Sequence, residues 1–404
     1  MKKTKERRVI KVNENRHIYL SRILLIIFIL AVVISTVVAI FLFVINPSKR
    51  QGKSNMVDNN LINNVVESTE PDYTKLDEEI AKEELQKIEL NEFAKVNSTI
   101  DGNIPCFYNP VIPQGFKAIG TQQDKTIDEK AKWGQENGYL YGLVIEDEKG
   151  NQFVWIPVEN LEVFKTTDWQ KNQPKEAIDI TYVEPSKEEE ETYYKMYYKV
   201  KKYGGFYIGR YETGDLTATG ERTEVKNSDS LGIRKHLNAY NYIPFKQTAI
   251  NGREITGAQE LAINFGKKNN YKTAVTSVVY GTQWDAMLRF IVSEQNNVNN
   301  SVTWGNYSGT ELLYRDINGN LYRKESGETR LLHTGVSETT KAKNIYDIAG
   351  NLYEWTMETS RNETRVVRGG CYVLNIGQLA ASRYSYKDTT ANNAIGFRIS
   401  FYVE

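Results

Sequence analysis

The chain has 404 residues, of which 40% are hydrophobic and 25% charged, a composition typical of folded proteins. Its 51 basic and 51 acidic residues balance overall, but positions 1–50 hold ten basic and only two acidic residues. The rest of the chain therefore has 41 basic against 49 acidic residues, a net charge of about −8. A mildly acidic body lacks the basic face that a phosphate backbone requires, so we expect no nucleic-acid partner.

An apolar segment near the N-terminus, Ile23 to Ile45, contains no ionisable side chain. Its 23 residues exceed the roughly 20 that a helix needs to cross a hydrocarbon core about 30 Å thick. It is longer than the apolar core of a secretory signal, and it is apolar on every side, unlike most core helices. We therefore predict a single transmembrane helix at 23–45 that contacts membrane lipid.

The flanking charges predict how this helix is oriented. Residues 1–22 carry eight Lys and Arg, whereas residues 46–53 carry fewer. By the positive-inside rule, 1–22 is a basic cytoplasmic tail and the chain after about residue 46 is extracellular. The predicted localisation is the cell membrane, with a signal anchor and the C-terminal domain outside.

Residues 46–100 predict a stalk between the membrane and the body. Residues 46–70 are polar, rich in Asn and without periodicity, which is typical of a flexible linker. Residues 72–96 predict an amphipathic helix from apolar positions among charges: Leu76, Ile80, Leu85, Ile88 and Leu90. This helix either forms a short coiled coil that makes an oligomer, packs on the body, or is a solvated stalk, and the sequence leaves the three open.

From about residue 104 the chain has the pattern of short, glycine-punctuated strands with few helices. Residues 139–158 predict two strands joined by a turn at Gly150, and residues 204–214 predict an aromatic strand with glycines at both ends. Residues 256–270 predict a helix of three turns, with Thr256 before it and Glu260 nearby. Short strands return in the last fifty residues. The pattern predicts one α+β domain at 104–404.

A second helix is predicted at 281–297, with one apolar face: Trp284, Met287, Leu288 and Ile291. Between the predicted strands, the segment around 184–205 begins as a charge run, which is most simply a solvated loop or the start of a helix. Many tyrosines lie in this segment and just after it: Tyr193, Tyr194, Tyr197, Tyr198, Tyr203 and Tyr207. Such a set is typical either of a recognition surface or of half-buried strand faces.

A series of motifs follows in order along the body: "FVWIPV", "FYIGRYETG", "YGTQWDAMLRF", "DIAGNLYEWT", "RVVRGGCY", "AASR" and "IGFRIS". In this order and spacing they resemble the formylglycine-generating-enzyme (sulfatase-modifying factor) family. The resemblance covers roughly residues 139–404, with "IPCFYNPVIPQGFKAIGT" as a lead-in. It implies a C-type-lectin-like fold with short irregular strands and few helices. A shared fold does not carry function, which must be argued from sites.

The family's oxidase chemistry depends on a copper ion held by two nearby cysteines, because soft thiolates suit copper(I). The matching positions in "RGGCYVLNIGQLAASR" are Leu374 and Leu379, which cannot bind a metal. Cys371 stands where the family usually has Ser. We therefore expect no catalytic residues, no copper and no oxidase activity.

Related non-haem iron enzymes of this fold use three histidines. The chain has only His17, His236 and His333, and His17 lies in the predicted cytoplasmic tail. A carboxylate would be needed as third ligand. We interpret the two body histidines as surface or packed residues.

The stretch "DIAGNLYE" resembles the segment with which the family wraps a structural calcium ion. Carried over by position, Asp347 and Glu354 would supply side-chain oxygens, and Gly350 and Leu352 their carbonyls. Such hard oxygen ligands suit Ca²⁺. The alternative has Asp347 capping a turn, Gly350 and Asn351 at positive φ, and Trp355 in the core. Either way the stretch organises a loop.

Two further questions concern the arginines and the cysteines. Arg368 and Arg398 lie beside glycines at strand ends, and we predict that they tie loops to the core by hydrogen bonds rather than bind a ligand.

Cys106 and Cys371 are the only cysteines, and outside the cell they are free to oxidise. The sequence leaves open whether they form a disulfide or remain two separate buried thiols.

These observations favour a membrane-anchored ligand-binding or adhesion module that uses the family's scaffold without its oxidase activity. The segment "NIGQLAASRYSYKDTTANNAIGFR" is expected to face an extracellular ligand or protein. It also resembles the C-terminal region of lectin-fold proteins diversified by retroelements or carried by prophages. One alternative is an enzyme of the same superfamily with a non-standard site. Another is a structural component of a cell-surface assembly.

Overall fold

The computed structural model describes residues 107–120, 124–159, 161–164, 189–293, 295–360, 364–375 and 379–404. The predicted tail, transmembrane helix and stalk, including the helix at 72–96, lie outside these ranges, as do His17 and Cys106. Within them, no helix combines the length and the apolar character that crossing a bilayer requires.

The largest sheet is antiparallel and has six strands in the order β1-β2-β3-β4-β19-β10. These strands are β1 (Phe116–Ile119), β2 (Val144–Asp147), β3 (Gln152–Pro157), β4 (Gly205–Gly209), β10 (Ala274–Val278) and β19 (Ile399–Val403). The predicted hairpin at 139–158 is confirmed as β2 and β3. Gly150 in its turn has φ +82°, a left-handed conformation that glycine adopts without strain.

The second sheet has four strands in the order β17-β16-β15-β18, and β15 and β18 are parallel. They are β15 (Tyr353–Ser360), β16 (Thr364–Arg368), β17 (Arg383–Lys387) and β18 (Ile395–Phe397). One residue, Arg398, separates β18 in this sheet from β19 in the six-stranded sheet. The chain therefore passes from one sheet to the other at Arg398.

The remaining strands form small sheets. One has three strands, and three are hairpins. Their strands are β5 (Gly214–Asp215), β6 (Leu231–Gly232), β7 (Asn238–Ala239), β8 (Thr248–Ile250), β9 (Arg253–Ile255), β11 (Leu312–Arg315), β12 (Leu321–Lys324), β13 (Lys341–Ala342) and β14 (Ile345–Tyr346). Many short strands with few helices give a mixed α and β architecture, as the sequence predicted.

Three α-helices are described: α1 (Glu190–Tyr203), α2 (Ala258–Lys268) and α3 (Gly281–Ile291). Both predicted helices are therefore present. The N-cap of α2 is Gly257, which makes no side-chain bond, so Thr256 is not its cap. Helix α3 ends at Ile291 rather than near residue 297, because the next residue has extended backbone angles and a polar, Asn-rich segment follows.

The tyrosine-rich segment is a helix and not a strand. In α1, Met196 and Val200 are buried, and Tyr193 and Tyr197 pack against the core. The interpretation of these tyrosines as half-buried strand faces was therefore wrong for positions 193–203. Of the six tyrosines only Tyr207 lies on a strand, β4, and it is fully rather than half buried.

A single hydrophobic core joins the two larger sheets and α3. The four predicted apolar positions of α3, Trp284, Met287, Leu288 and Ile291, are all fully buried. The Trp284 indole nitrogen donates to the Ala380 carbonyl at 3.1 Å, which connects the helix to the loop between β16 and β17. The core thus extends beneath the C-terminal loops that the sequence assigned to ligand binding.

Candidate functional site

The "DIAGNLYE" stretch is a tight turn with three left-handed residues. Asp347, Gly350 and Asn351 have φ values of 60°, 72° and 59°. A Cβ atom on Gly350 would lie 2.2 Å from the carbonyl oxygen of Asn306, so only glycine fits that position. Trp355 is fully buried beyond the turn. The predicted positive φ at Gly350 and Asn351 and the core position of Trp355 are confirmed.

This turn brings both predicted carboxylates into one buried group around Arg398, here called the Arg398 cluster: Glu212, Asp347, Glu354 and Arg398. The Arg398 guanidinium donates to both oxygens of Glu354, at 2.6 to 3.1 Å. It also donates to the backbone carbonyls of Gly209 and Tyr346, each at 2.9 Å. Arg398 therefore ties loops to the core, as predicted from the glycines beside it.

The other two carboxylates of the cluster accept bonds from different segments. Glu212 accepts from the turn: from the side chain of Asn351 at 2.5 Å and from the backbone N–H of Leu352 at 3.0 Å. Asp347 accepts from the loop before the turn: from the Thr340 hydroxyl at 2.7 Å and from the backbone N–H of Gly335 at 2.8 Å. Asp347 therefore ties the turn to the preceding loop, and these bonds do not cap its own turn.

The Arg398 cluster has three carboxyl groups against one guanidinium, and all four side chains are buried. Burial raises the pKa of Glu212 well above its usual range, and the nearby charges of Asp347 and Glu354 raise it further. Burial also raises the pKa of Asp347 and, against the opposing effect of Arg398, that of Glu354. Arg398 supplies one positive charge against three carboxyl groups, so it cannot neutralise all three when they are ionised.

The predicted calcium ligands are partly brought together. Asp347 and Glu354 lie in the same cluster, and Gly350 and Leu352 lie on the turn between them. Buried carboxyl and carbonyl oxygens are hard donors of the kind that a divalent cation prefers, and such a cation would favour the ionised carboxylates. In the described ranges, no group of three or more His, Cys, Asp or Glu side chains is arranged to hold a metal ion.

A second buried network, here called the Arg368 ring, alternates two arginines with two carboxylates: Asp285, Glu358, Arg368 and Arg383. Arg368 donates to Asp285 at 2.6 Å and to Glu358 at 3.0 Å. Arg383 donates to the other oxygens of the same two residues, at 2.6 and 2.7 Å. The ring joins α3, β15, β16 and β17, and its charges balance. The predicted structural role of Arg368 is confirmed.

The ring lies beside the loop between β16 and β17, residues 369–382, here called the C-terminal loop. In the described part of this loop, backbone groups on both sides of residues 376–378 form hydrogen bonds. The Leu374 carbonyl accepts from the N–H of Ser308 at 2.9 Å. The N–H groups of Leu379 and Ala380 donate to the hydroxyls of Ser382 and Ser301, at 2.7 and 3.0 Å.

The side chains on this loop do not fit a copper centre. Leu374 is half-buried against the core, and Leu379 is half-buried. The nearest sulfur in the sequence, Cys371, is a fully buried free thiol. Burial raises its pKa to about 12, which keeps it protonated and unreactive at neutral pH. Neither leucine carries a ligating atom, and a protonated thiol is not the soft thiolate ligand that suits copper(I).

The two body histidines lie near each other, which their spacing in the sequence did not predict. The backbone N–H of His236 donates to the backbone carbonyl of Thr334, the residue after His333, at 2.8 Å. Burial lowers the pKa of His236, and the neighbouring charges of Lys235 and His333 lower it further. His236 is half-buried and His333 is exposed, so their interpretation as packed and surface residues is confirmed.

The sequence carries a family signature over the part of the chain that holds this site. Residues 269–401 match the sulfatase-modifying factor enzyme 1-like domain. The match covers about a third of the chain, yet β19, which begins within it, pairs with β4, which precedes residue 269. The folded unit that contains the matched residues therefore extends towards the N-terminus beyond the match.

The other comparisons are weaker. No curated protein matches the chain. A crystal structure of CarF is similar at 14% identity and a TM-score of 0.26, covering 50% of this chain and 87% of that one. Treponema denticola variable protein 1 is similar at 11% identity and a TM-score of 0.23, covering 48% of this chain and 95% of that one. TM-scores this low establish no shared fold.

Several buried charged residues were not singled out from the sequence. Glu212 lies in the quoted motif "FYIGRYETG", and Asp285 lies in "QWDAM". In both cases an acidic residue stands among aromatic and apolar ones, which is unusual for a solvent-exposed acid. That pattern was the available signal. It does not reveal the partners of either acid, because those partners lie far apart from it in the sequence.

We predict that Asp285→Asn destabilises the protein by about 3–5 kcal/mol, because it leaves Arg368 and Arg383 buried with an uncompensated charge. The matched control is Glu311→Gln, which breaks an ion pair with Arg323 whose two side chains are about half exposed. The control should cost less than about 1 kcal/mol. Denaturant unfolding measures both values. Equal losses would show that the Arg368 ring contributes no more than a surface pair.

We predict that Glu212 makes stability depend on pH. Its pKa is raised on folding, so its contribution is present at low pH and lost as pH rises from the unfolded value of about 4.3 through the raised one. Between about pH 5 and 8, with calcium chelated, Glu212→Gln should remove part of this decline, up to about 1.4 kcal/mol per pH unit. Unfolding curves measure the slope, and Glu254→Gln, an exposed change, should leave it unaltered. Parallel slopes for wild type and Glu212→Gln would contradict the prediction.

Proposed function

We propose that the protein is a membrane-anchored ligand-binding or adhesion module, with a sulfatase-modifying factor scaffold displayed outside the cell and no oxidase activity. The observation that carries the proposal is the surface beside the C-terminal loop. There, aromatic and aliphatic side chains lie on and beside a loop that is packed against the core and whose described part forms backbone hydrogen bonds. A surface supported in this way is preformed, which favours recognition.

The side chains concerned, which are exposed or half-buried, are here called the tyrosine surface: Tyr372, Val373, Tyr384 and Tyr386. Val373 and Tyr384 are 40% and 43% exposed. The rings of Tyr384 and Tyr386 lie 4.9 Å apart, and Tyr384 stacks on the buried Tyr353 at 6.4 Å. Tyrosines fixed in this way supply rigid contact area with a polar group at the edge.

The absence of oxidase activity is argued from chemistry at the C-terminal loop. Oxidation of a peptidyl thiol at copper needs two thiolates close together, and the matching residues are Leu374 and Leu379. The buried thiol of Cys371 does not substitute for them, because its raised pKa keeps it protonated. Loss of the ligands leaves a scaffold whose loops are free to serve recognition.

Membrane anchoring is supported by the uncharged segment 23–45 and the basic residues before it. We predict that the full chain sediments with membranes and stays there after washing with high salt, since burial of apolar side chains is insensitive to screening. Release by salt alone would contradict an anchor. Deletion of residues 23–45 should transfer the chain to the soluble fraction.

We also propose that Asp347, Gly350, Leu352 and Glu354 hold a structural Ca²⁺. The supporting observation is that three buried carboxyl groups of the Arg398 cluster share one guanidinium, an arrangement in which a bound cation would favour their ionised forms. Calcium at these positions would lower the repulsion among the carboxylates and fix the turn on which Trp355 depends. The ion would be structural, because the turn is buried beneath the loops.

We predict that calcium raises the melting temperature of the full chain and that chelation lowers it, because an ion that binds only the folded state stabilises it. Magnesium should have a smaller effect, since it requires a stricter octahedral geometry. Asp347→Asn should abolish the calcium response, whereas the exposed Glu254→Gln should retain it. A melting temperature that is unchanged by calcium and by chelation would contradict the proposal, as would stoichiometric copper or iron in the purified protein.

The binding function is tested with liposomes that carry the full chain, applied to arrays of glycans and of extracellular proteins. We predict retention on at least one partner. The double change Val373→Ser and Tyr384→Ala should abolish it, because it removes the exposed part of the tyrosine surface. The matched control is Leu313→Ser with Tyr322→Ala, which removes similar exposed side chains from the β11-β12 hairpin.

Two results would contradict this function. One is retention no greater than that of liposomes without protein. The other is equal loss in both double variants, which would indicate general stickiness of exposed apolar side chains. Loss confined to the Val373 and Tyr384 change is the result that the proposal requires.

A further inference from the structure

Two adjoining clefts lie at the end of the six-stranded sheet where β2 turns into β3 and the chain after α2 leads into β10. The larger has a volume of about 340 Å³ and the smaller about 150 Å³. Both are lined by Lys149, Lys268 and Asn269, so they adjoin along these residues. The larger volume lies within the range of small-molecule sites.

Four basic side chains line this pair of clefts, here called the basic cleft: Lys149, Arg234, Lys268 and Lys272. Only Lys268 has a carboxylate partner in the described chain, the exposed Asp229. The Lys149 ammonium donates only to the backbone carbonyl of Lys268, at 3.3 Å. Among the described residues, nothing accepts from the guanidinium of Arg234, and its Nε–H is enclosed without a partner.

The acidic side chains nearby do not neutralise these cations within the cleft. Asp147 is buried, and both of its oxygens are occupied. They accept from the side chain of Asn151 at 2.7 Å, from the Tyr271 hydroxyl at 2.6 Å and from backbone N–H groups. Glu148 lies exposed at the rim. The basic cleft therefore offers unpaired donors on a body whose net charge is negative, and such a cleft concentrates anions.

The rest of the lining is polar. Amide side chains of Gln114, Asn269 and Asn270 line the larger cleft, and Ser230 lines the smaller one. Phe265, in the smaller cleft, is almost fully buried, and the half-buried Tyr271 lines the larger one. Amides and hydroxyls bind hydroxyl groups, whereas unpaired cations bind carboxylate or phosphate.

We propose that the basic cleft binds an acidic saccharide, held through a carboxylate or phosphate on the sugar. Arg234 provides the planar fork that grips such an anion with two parallel bonds. Lys149 and Lys272 act as point charges, and the amides of Asn269 and Asn270 receive the sugar hydroxyls. The basic cleft shares no residue with the tyrosine surface, so this site is independent of the proposed function.

The test uses isothermal titration calorimetry on the full chain in detergent, with glucuronic acid, glucose 6-phosphate, glucose and inorganic phosphate as probes. At least one acidic sugar should bind, more weakly as salt is raised, and glucose should not. The two acidic probes distinguish a carboxylate from a phosphate ligand. Changing Arg234→Gln and Lys272→Gln together should weaken binding by about tenfold or more, the usual effect of removing charged hydrogen bonds.

The matched control changes Arg253→Gln and Lys267→Gln, which removes the same charge from exposed positions outside the cleft and should leave binding unchanged. If the double variant unfolds, Lys272→Gln alone, at an exposed position, replaces it in the binding test. Four results would overturn the proposal: no binding of either acidic sugar at about millimolar concentration, equal binding of glucose, equal loss in both double variants, or inorganic phosphate binding as tightly as the sugar phosphate.

Discussion

The ion pair of Arg398 and Glu354 is the interaction on which the rest of the structure depends. Arg398 is the single residue between β18 and β19, so it stands where the chain leaves one sheet and enters the other. Its guanidinium reaches Glu354 on β15 and the carbonyls of Gly209 and Tyr346. A buried charge with all these partners is costly to misplace, because any other arrangement leaves carbonyls or a carboxylate unpaired. The pair therefore specifies how the two sheets meet.

The two networks of buried charges stabilise the fold and take no part in redox chemistry. The Arg398 cluster organises the turn at 347–354, and the Arg368 ring fixes the strands that flank the C-terminal loop. Neither network includes a side chain able to transfer electrons. The match to the sulfatase-modifying factor domain, residues 269–401, includes the whole Arg368 ring and all of the Arg398 cluster except Glu212. A chain can keep such networks without keeping a family's reaction, because a shared fold does not carry function.

Much of the fold could be predicted from local sequence. The β2-β3 hairpin followed from two apolar runs on either side of the polar turn at Gly150, and α3 from the spacing of Trp284 and its neighbours, because these signals depend on residues close together in the chain. For helix α1 the charge run left a loop and a helix start open and the tyrosines suit strands, so only packing against the core decides the matter. Tertiary context overrode propensity there.

The site was predictable only in part, for a related reason. Asp347 and Glu354 were found because the "DIAGNLYE" motif is contiguous. Glu212 was not, since it lies 135 positions before Asp347 and joins the cluster only through the fold. The basic cleft has no motif at all: Lys149, Arg234 and Lys272 come from three separate loops. Sites assembled from distant loops leave no periodic or spacing signal.

The central claim is that two aliphatic side chains occupy the positions where sulfur would have to hold copper, so that the scaffold persists without the family's reaction. The most direct measurement incubates the full chain with copper(I), oxygen and a cysteine-containing peptide, and uses mass spectrometry to detect conversion of the thiol to an aldehyde. The account predicts no aldehyde above the level with copper and oxygen alone. Aldehyde that accumulates over repeated turnovers in proportion to the protein would contradict it.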